Sequence, residues 1–316
     1  MDIVIRTFQF DDLPALVDVI NRSAGADKTD SGTTLDELRA RFEWPYFYPE
    51  HNCLVAALPD GTVTGYTTAE LDPRVGKGWG SGCVDPAYRR QRIGRALIRA
   101  ADARHVERGQ HEVAPELPLL VTRHCRDSNA GSRALLESED YAIARISWFM
   151  RMDFAGPVDA PPLPDGITLR PFDRERDAHA IWQAEQDIFR DNWGYIEPPF
   201  DIWESFMFPP DHSDSLWIVA MDGDTIAGLC LCNPKHDDPA AGWINTVGVR
   251  ASYRRQRLGS ALLGRGLAAL QTHGFSAAEL EVDSENRSNA VALYERAGMH
   301  VKRRYLIYQK MLRGSR

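Results

Sequence analysis

Apolar residues change their spacing several times along this chain, and the same succession of spacings runs through it twice. In the second half, residues 167–170 read as a strand, and residues 176–190 as a helix because their apolar positions recur at helical intervals. A second helix is expected near residues 200–206. Two apolar runs, 216–221 and 225–232, flank Asp222-Gly223 and predict a hairpin. There follow a strand over 244–249, a helix over 258–273 closed by Gly274, and a strand over 277–282. A helix over 289–297, closed by Gly298, and a final strand over 301–311 complete the half. The first half follows the same order. Each half therefore reads β-α-α-β-β-β-α-β-α-β-β, an α/β sandwich with a mixed sheet.

The duplication is also written in the residues. YRRQRIGRALI (88–98) and YRRQRLGSALL (253–263) agree at eight of eleven positions. Ile5-Arg6-Thr7-Phe8 returns as Leu169-Arg170-Pro171-Phe172, and the hairpin around Gly65 as the one around Gly228. Ala134-Leu135-Leu136-Glu137 returns as Ala292-Leu293-Tyr294-Glu295, and all these anchors lie 158 to 165 positions apart. Ordered anchors at nearly constant separation mean that a whole domain was copied. Four prolines between 157 and 166 predict an extended connection. The expected organisation is a domain over 1–153, a linker over 154–164 and a domain over 165–316.

A length of 316 residues lets each of two domains bury its own core. The net charge of −8 argues against nucleic acid as a partner, since a phosphate backbone rewards a basic surface. No apolar run reaches the length of a membrane span, and MDIVIRTFQFDD lacks the basic and apolar parts of a signal peptide. With five scattered cysteines, these features predict a reduced, cytoplasmic protein without a membrane partner, monomeric or homodimeric. No histidine or cysteine set has ligand spacing, so no metal is expected.

Against that acidic background, each basic turn sits between a strand and a helix. Free N–H groups and the positive end of the helix dipole suit an anion there, and arginines add charge-assisted donors around a pyrophosphate. Gly94 and Gly259 let the backbone come close to it. The bland alternative is a solvated, Arg-rich first turn. Arginine is disfavoured beside a positive helix end, however, and the same misfit occurs twice.

The order VGVRASYRRQRLGSALL followed by ENRSNAVALYERAGM resembles the acetyl-CoA signature of the GNAT (Gcn5-related N-acetyltransferase) superfamily, and the duplicated arrangement is similar to its tandem members. The resemblance covers both halves and implies two GNAT-like domains, each a mixed, mostly antiparallel sheet flanked by helices. It implies that Arg254, Arg255, Gln256, Arg257, Leu258, Gly259 and Ser260 bind the pyrophosphate of acetyl-CoA. Arg89, Arg90, Gln91, Arg92, Ile93, Gly94 and Arg95 are their counterparts. Both copies depart from the family pattern, with Arg92 and Arg257 where a glycine is usual. The resemblance further implies a V-shaped opening between strands 244–249 and 277–282. Pantetheine would lie there along Val247, Gly248 and Val249 (Val84 in the first half), with Asn286 as a partner for its amides. Tyr294 matches the family's general acid to the leaving thiolate. The implied reaction is direct attack of a small-molecule amine on the thioester.

A tandem member of the family that this chain resembles in architecture places a catalytic glutamate on the fourth strand, where this chain has Trp243, and Gly78 in the first half. Neither takes a proton. Glu281, Asp191 or a water held by Asn245 are the replacement candidates. Glu279, Glu281 and Asp283 alternate along one strand, which also fits a solvated edge or salt-bridge partners. Tyr294 aligns with Leu136, and the first half's fourth strand is glycine-rich and expected to be weak. The expectation is thus a catalytic C-terminal domain and a degenerate N-terminal one. In FRDNWGYIEPPFDIW (189–203), Asp191 and Trp193 are candidate contacts for a cationic amine, unless these aromatics merely pack. The alternative function is a non-catalytic acyl-CoA-binding or sensing protein.

Overall fold

A computed structural model of the chain describes residues 2–29, 32–235, 238–286 and 289–314. Two compact units emerge: residues 1–146 with 305–316, and residues 147–304.

In the N-terminal unit the chain runs through β1 (Val4–Thr7), α1 (Leu13–Asp27), α2 (Leu35–Phe42), α3 (Pro49–Asn52), β2 (Cys53–Ala57) and β3 (Val63–Thr68). It continues through β4 (Glu70–Asp72), β5 (Lys77–Gly80), β6 (Gly82–Val84), α4 (Ile93–Glu112), β7 (Leu119–Arg126), α5 (Ala130–Ser138) and β8 (Ala142–Asp153). The C-terminal elements are β9 (Thr168–Pro171), α6 (Arg174–Phe189), α7 (Phe200–Met207), β10 (Trp217–Asp222), β11 (Thr225–Pro234) and β12 (Ala241–Val249). They end with α8 (Leu258–Thr272), β13 (Ala277–Asp283), α9 (Ala290–Arg296) and β14 (His300–Arg313). Local chemistry sets many of the boundaries. Thr34 and Glu37 form a reciprocal capping box on α2, and Asp173 accepts from Arg176 N at the start of α6. Gly223 turns the β10–β11 hairpin at φ +54°.

In the C-terminal unit β9, β10, β11 and β12 are antiparallel neighbours, β12 and β13 pair in parallel, and residues 147–153 of β8 run antiparallel to β13. Leu258, Leu262, Leu263, Leu267 and Leu270 of α8 are all buried on one face of this sheet. Ile181, Ala184 and Ile188 of α6 are buried as well. Each such leucine withdrawn from water contributes about 1.5–3 kcal/mol before its ordering cost. In the N-terminal unit β1, β2, β3 and β6 form one antiparallel group, while β4, β5 and β7 form another in which β5 and β7 are parallel.

Three differences from the sequence reading stand out. The element string carries one terminal strand too many: the residues assigned to the last strand, 301–311, form the single strand β14, and β8 is likewise single. The compact units also do not coincide with the sequence halves: residues 305–313 of β14 pair with β7, and residues 147–153 of β8 pair with β13. Alternation along a strand reveals that it is a strand, not which edge it joins. Finally, the glycine-rich fourth strand of the first half is broken. Lys77–Gly80 pairs with β7 and Gly82–Val84 with β3, so one strand has become two. All five cysteines are free thiols. Among the described residues no helix is long and apolar enough to cross a membrane.

Candidate active site

The expected opening begins where β12 leaves β13. Their parallel pairing covers Ala241, Gly242 and Trp243 against Ala277, Ala278 and Glu279, and no later residue of β12 pairs with β13 among those described. The cause lies on the other edge. The β11–β12 register skips Asn245, a bulge that bends β12 two residues beyond its last partner on β13. Val247, Gly248 and Val249 thus keep β11 on one side and face the gap on the other. Gly248 has a packing role: an added Cβ would lie 2.4 Å from Ile188 Cγ2, so glycine permits the approach of α6. The carbonyl of Val249 already accepts from Arg254 Nε at 3.2 Å.

The basic turn follows at once. Arg255 and Arg257 both adopt left-handed backbone, at φ +63° and +66°. In the first copy Arg90 and Arg92 do the same, at φ +63° and +68°. Arginine therefore takes the conformation that the family's glycine would adopt at lower cost. Such alternation turns successive N–H groups toward one concavity. Among the described residues the N–H groups of 255–260 and of 90–95 find no acceptor. Arg254, Arg255, Gln256 and Arg257 are exposed, whereas Leu258 anchors the first turn of α8 in the core. Gly259 leaves real space: an added Cβ would meet only Leu293 Cδ2 and Val249 Cγ2, each at 3.7 Å. Ser260 follows on the same half-exposed turn.

Around the first copy two of the arginines, Arg89 and Arg95, are engaged. Arg89 forms a bidentate pair with Asp27 of α1, at 2.6 and 3.0 Å, and also donates to Ser23 and to the carbonyl of Val84. Arg95 is paired with Glu139 at 2.8 Å. Gly94 is tighter than Gly259, with Leu135 Cδ2 only 2.9 Å from an added Cβ.

Tyr294 is buried, 7% exposed, on α9. Burial pushes its phenol well above the ordinary value of 10, with the nearby Cys230 adding to the effect, so the proton stays on oxygen at neutral pH. Asn286 lies in the loop after β13, its N–H bonded to the carbonyl of Asp283 at 3.0 Å. Leu136, at the position of Tyr294 in the first copy, is an ordinary core residue.

The acids of β13 are unlike one another. Glu281 is exposed and accepts a hydrogen bond from Ser147. Glu279 is fully buried and meets Arg151 and Lys302 at 2.8 Å, Arg303 at 3.5 Å and Lys235 at 3.7 Å. Burial pushes its carboxyl up, but hydrogen bonds from Lys302 and Arg151 and the charge of Lys235 outweigh it, and the group sits below its usual range. The solvated-edge reading is thereby excluded for Glu279.

Beside the point where β12 and β13 part lies a cavity of about 320 Å³. Its walls include Trp243 and Asn245 of β12, Phe149, Phe206, Lys235 and Arg303. Arg303 is stacked over Phe149, its guanidinium carbon 4.4 Å from the ring centre. Asp191 and Trp193, singled out as substrate contacts, are exposed and are not among these lining residues. Sequence reasoning missed Lys235 and Arg303, whereas the salt-bridge alternative it kept for Glu279 is the one the structure bears out. It also missed Glu185, a buried acid on α6 whose carboxylate accepts from Thr246 and Trp203 and is pushed up by burial.

The profile described as "Acetyltransferase (GNAT) family" matches residues 15–141 and 178–299. The chain belongs to the GNAT acetyltransferase family. It is an acyltransferase of a family whose co-substrate is acetyl-CoA. A mycothiol acetyltransferase of Salinispora arenicola is 31% identical, over 97% of this chain and 96% of the relative. One from Salinispora tropica is 32% identical over 91% and 88%. Among solved structures, a GCN5-related N-acetyltransferase from Sphaerobacter thermophilus has a TM-score of 0.84 at 28% identity, covering 99% of this chain and 97% of that one. A tandem GNAT protein from the clavulanic acid biosynthesis pathway has a TM-score of 0.74 at 16% identity over the whole of both chains, a likeness of fold. The GNAT reading of the two-domain architecture holds.

Proposed function

We propose that the C-terminal unit transfers the acetyl group of acetyl-CoA to the nitrogen of a small-molecule amine by direct attack. The observation that carries this reading is Tyr294, a buried phenol that keeps its proton, on the helix that follows the opened strand pair. In this reading the pyrophosphate meets the N–H groups of residues 255–260 and the guanidinium groups of Arg254, Arg255 and Arg257, with Gln256 at the rim. Pantetheine follows Val247, Gly248 and Val249, and Asn286 meets its amides. The amine nitrogen bonds to the thioester carbon, the tetrahedral intermediate collapses, and the C–S bond breaks. Tyr294 gives its proton to the departing sulfur, and the proton released from nitrogen leaves through water, with Glu281 as a nearby acceptor.

In the N-terminal unit the same turn, from Arg89 to Arg95 beside Val84, holds a second CoA phosphate without turning it over, because Leu136 has no proton to give. A thiol-release assay with acetyl-CoA and a broad amine panel tests the whole reading. Tyr294→Phe should abolish most turnover while retaining CoA affinity; CoA binding with no turnover of any amine overturns it. A second reading is favoured by identity to the mycothiol acetyltransferases over nearly the whole chain: the acceptor is the one those proteins use. Including that acceptor in the panel decides it.

A further inference from the structure

The cavity beside Trp243 has a composition that the chemistry of amine acetylation does not by itself explain. An amine acceptor in water is largely an ammonium ion, which carboxylates would attract. Among the described residues that line the cavity there is no carboxylate, whereas Lys235 and Arg303 both do. Both side chains are nearly buried, at 7% and 10% exposure. Both converge on the same oxygen of Glu279, which lies fully buried behind them. That carboxylate meets four cations, and its closer contacts go to Lys302 and to Arg151, which Asp153 and Asp238 also hold. Glu279 therefore holds Lys235 and Arg303 in position. The remaining walls are largely apolar, with Phe149, Phe206 and Trp243.

We propose that this cavity is the acceptor pocket and that Lys235 and Arg303 bind the carboxylate of an amine that also carries an apolar body, as an apolar amino acid does. The inference rests on the acetyltransferase reading of this unit. A guanidinium offers a planar fork matched to carboxylate oxygens, and the ammonium of Lys235 adds a point charge. The rings accommodate the apolar body. The same two cations have a second consequence. A positive charge nearby disfavours an ammonium and lowers the pKa of the bound amine. The acceptor thus reaches the thioester as a neutral nucleophile, with its proton already lost to solvent. A pocket that takes up the neutral amine needs no basic side chain at position 243, which is a tryptophan in its wall. Asn245, at the bulge, offers a carbonyl oxygen to orient the N–H of the neutral amine.

The test compares phenylalanine with phenethylamine, which differ by the carboxylate, on the full-length protein with CoA present. Equilibrium binding is measured by calorimetry and turnover by thiol release. The carboxylate-bearing amine should bind roughly ten- to a hundredfold tighter, the range of a charge-assisted contact. Arg303→Gln and Lys235→Gln should each shrink that ratio without changing acetyl-CoA affinity. The KM of phenylalanine should also rise more than its kcat falls. Equal binding of the two amines by the wild-type protein, or preference for phenethylamine, overturns the proposal and needs no variant to fold. A clear binding preference with no acetylation of any amine supports the pocket and instead sinks the transferase reading.

Discussion

The two basic turns have nearly the same backbone, and almost everything around them differs. Arg92 and Arg257 stand at φ +68°, ψ 6° and φ +66°, ψ 5°, and Arg89 and Arg254 agree as closely. Their surroundings then diverge. Arg89 and Arg95 are tied to Asp27 and Glu139, while Ser260 takes the position of Arg95. Leu136 fills the place of Tyr294. Where Glu281 stands in the second copy, the first has Arg123, buried under Gly80 and hydrogen-bonded to Tyr141. Val121 takes the place of Glu279. An eleven-residue turn makes its own conformation, so it survives copying. A reaction centre is assembled from several strands and helices, each free to drift, so it does not.

The sharpest way to break that comparison is at Tyr294. If catalysis belongs to the second copy alone, Tyr294→Phe should lower kcat by about 10²- to 10⁴-fold, the usual worth of a positioned acid. Leu136→Tyr should restore nothing, because Arg123 and a broken strand occupy the corresponding ground. Steady-state thiol release on both variants checks this. Burial raises the phenol, so the wild-type kcat should show no alkaline limb below the ordinary tyrosine value of 10. A limb near neutrality that vanishes in Tyr294→Phe would contradict that argument.

Glu279 and Val121 give the next contrast, in stability. Glu279→Gln removes the buried charge that Lys235, Lys302 and Arg303 meet together with Arg151, which keeps Asp153 and Asp238, and should cost roughly 3–5 kcal/mol, as breaking a buried pair does. Val121→Ala removes only methyl groups, about 2 kcal/mol with its cavity. Because the folded carboxyl lies below its ordinary value of 4.5, its contribution is complete above that pH and disappears as pH falls through the depressed value. Urea unfolding at pH 7 and at pH 4 should show the wild type losing more of its stability on acidification than Glu279→Gln. Equal losses would mean that the carboxylate does not hold its cations.

The sequence displayed the duplicated architecture, the turns, Tyr294 and the inequality of the halves because each is local or repeats. Hydrophobic period locates strands and helices, and an αL residue next to a helix start is a local event. The acceptor cavity was not legible. Lys235, Trp243 and Arg303 come from just past the end of β11, from β12 and from β14, and nothing in their local spacing reveals that Glu279 gathers the two cations. Asp191 and Trp193 stood out because aromatics and acids cluster in sequence; they lie on an exposed loop and do not line this cavity. The break in the first half's fourth strand was half legible. Its glycines announced weakness, but not that Gly78 and Gly80 make room for His105 and Arg123, 2.7 Å from where each Cβ would stand.

The glycines of the two turns offer a finer comparison. Gly259→Ala fits the free protein and adds a better helix former, so thermal stability should rise slightly. The methyl group would nonetheless occupy the space that Gly259 leaves for a phosphate. Acetyl-CoA should then bind roughly ten- to a hundredfold more weakly, the cost of an overpacked contact. Gly94→Ala should instead lose stability, since Leu135 must give way. Differential scanning fluorimetry and calorimetry separate the two effects. Unchanged CoA affinity in Gly259→Ala would remove this turn from the site.

The smallest effect discriminates best between the two cradles. Left-handed backbone costs a non-glycine residue about 1–2 kcal/mol, and glycine returns roughly 0.5–1 kcal/mol of that as unfolded-state freedom. Arg257→Gly and Arg92→Gly should therefore each stabilise the free protein by about 0.5–1 kcal/mol, and by the same amount, because the two residues share one conformation. Their consequences for acetyl-CoA need not match. An exposed guanidinium is worth at most about 1 kcal/mol to a phosphate, roughly fivefold in affinity, and less as salt screens it. Arg257→Gly should thus weaken binding severalfold and flatten its dependence on ionic strength. If the first cradle holds a second CoA, Arg92→Gly repeats this at a second, separately titrating site. If it holds none, Arg92→Gly raises thermal stability and leaves every binding isotherm unchanged, and its turn persists only because eleven residues fold it locally.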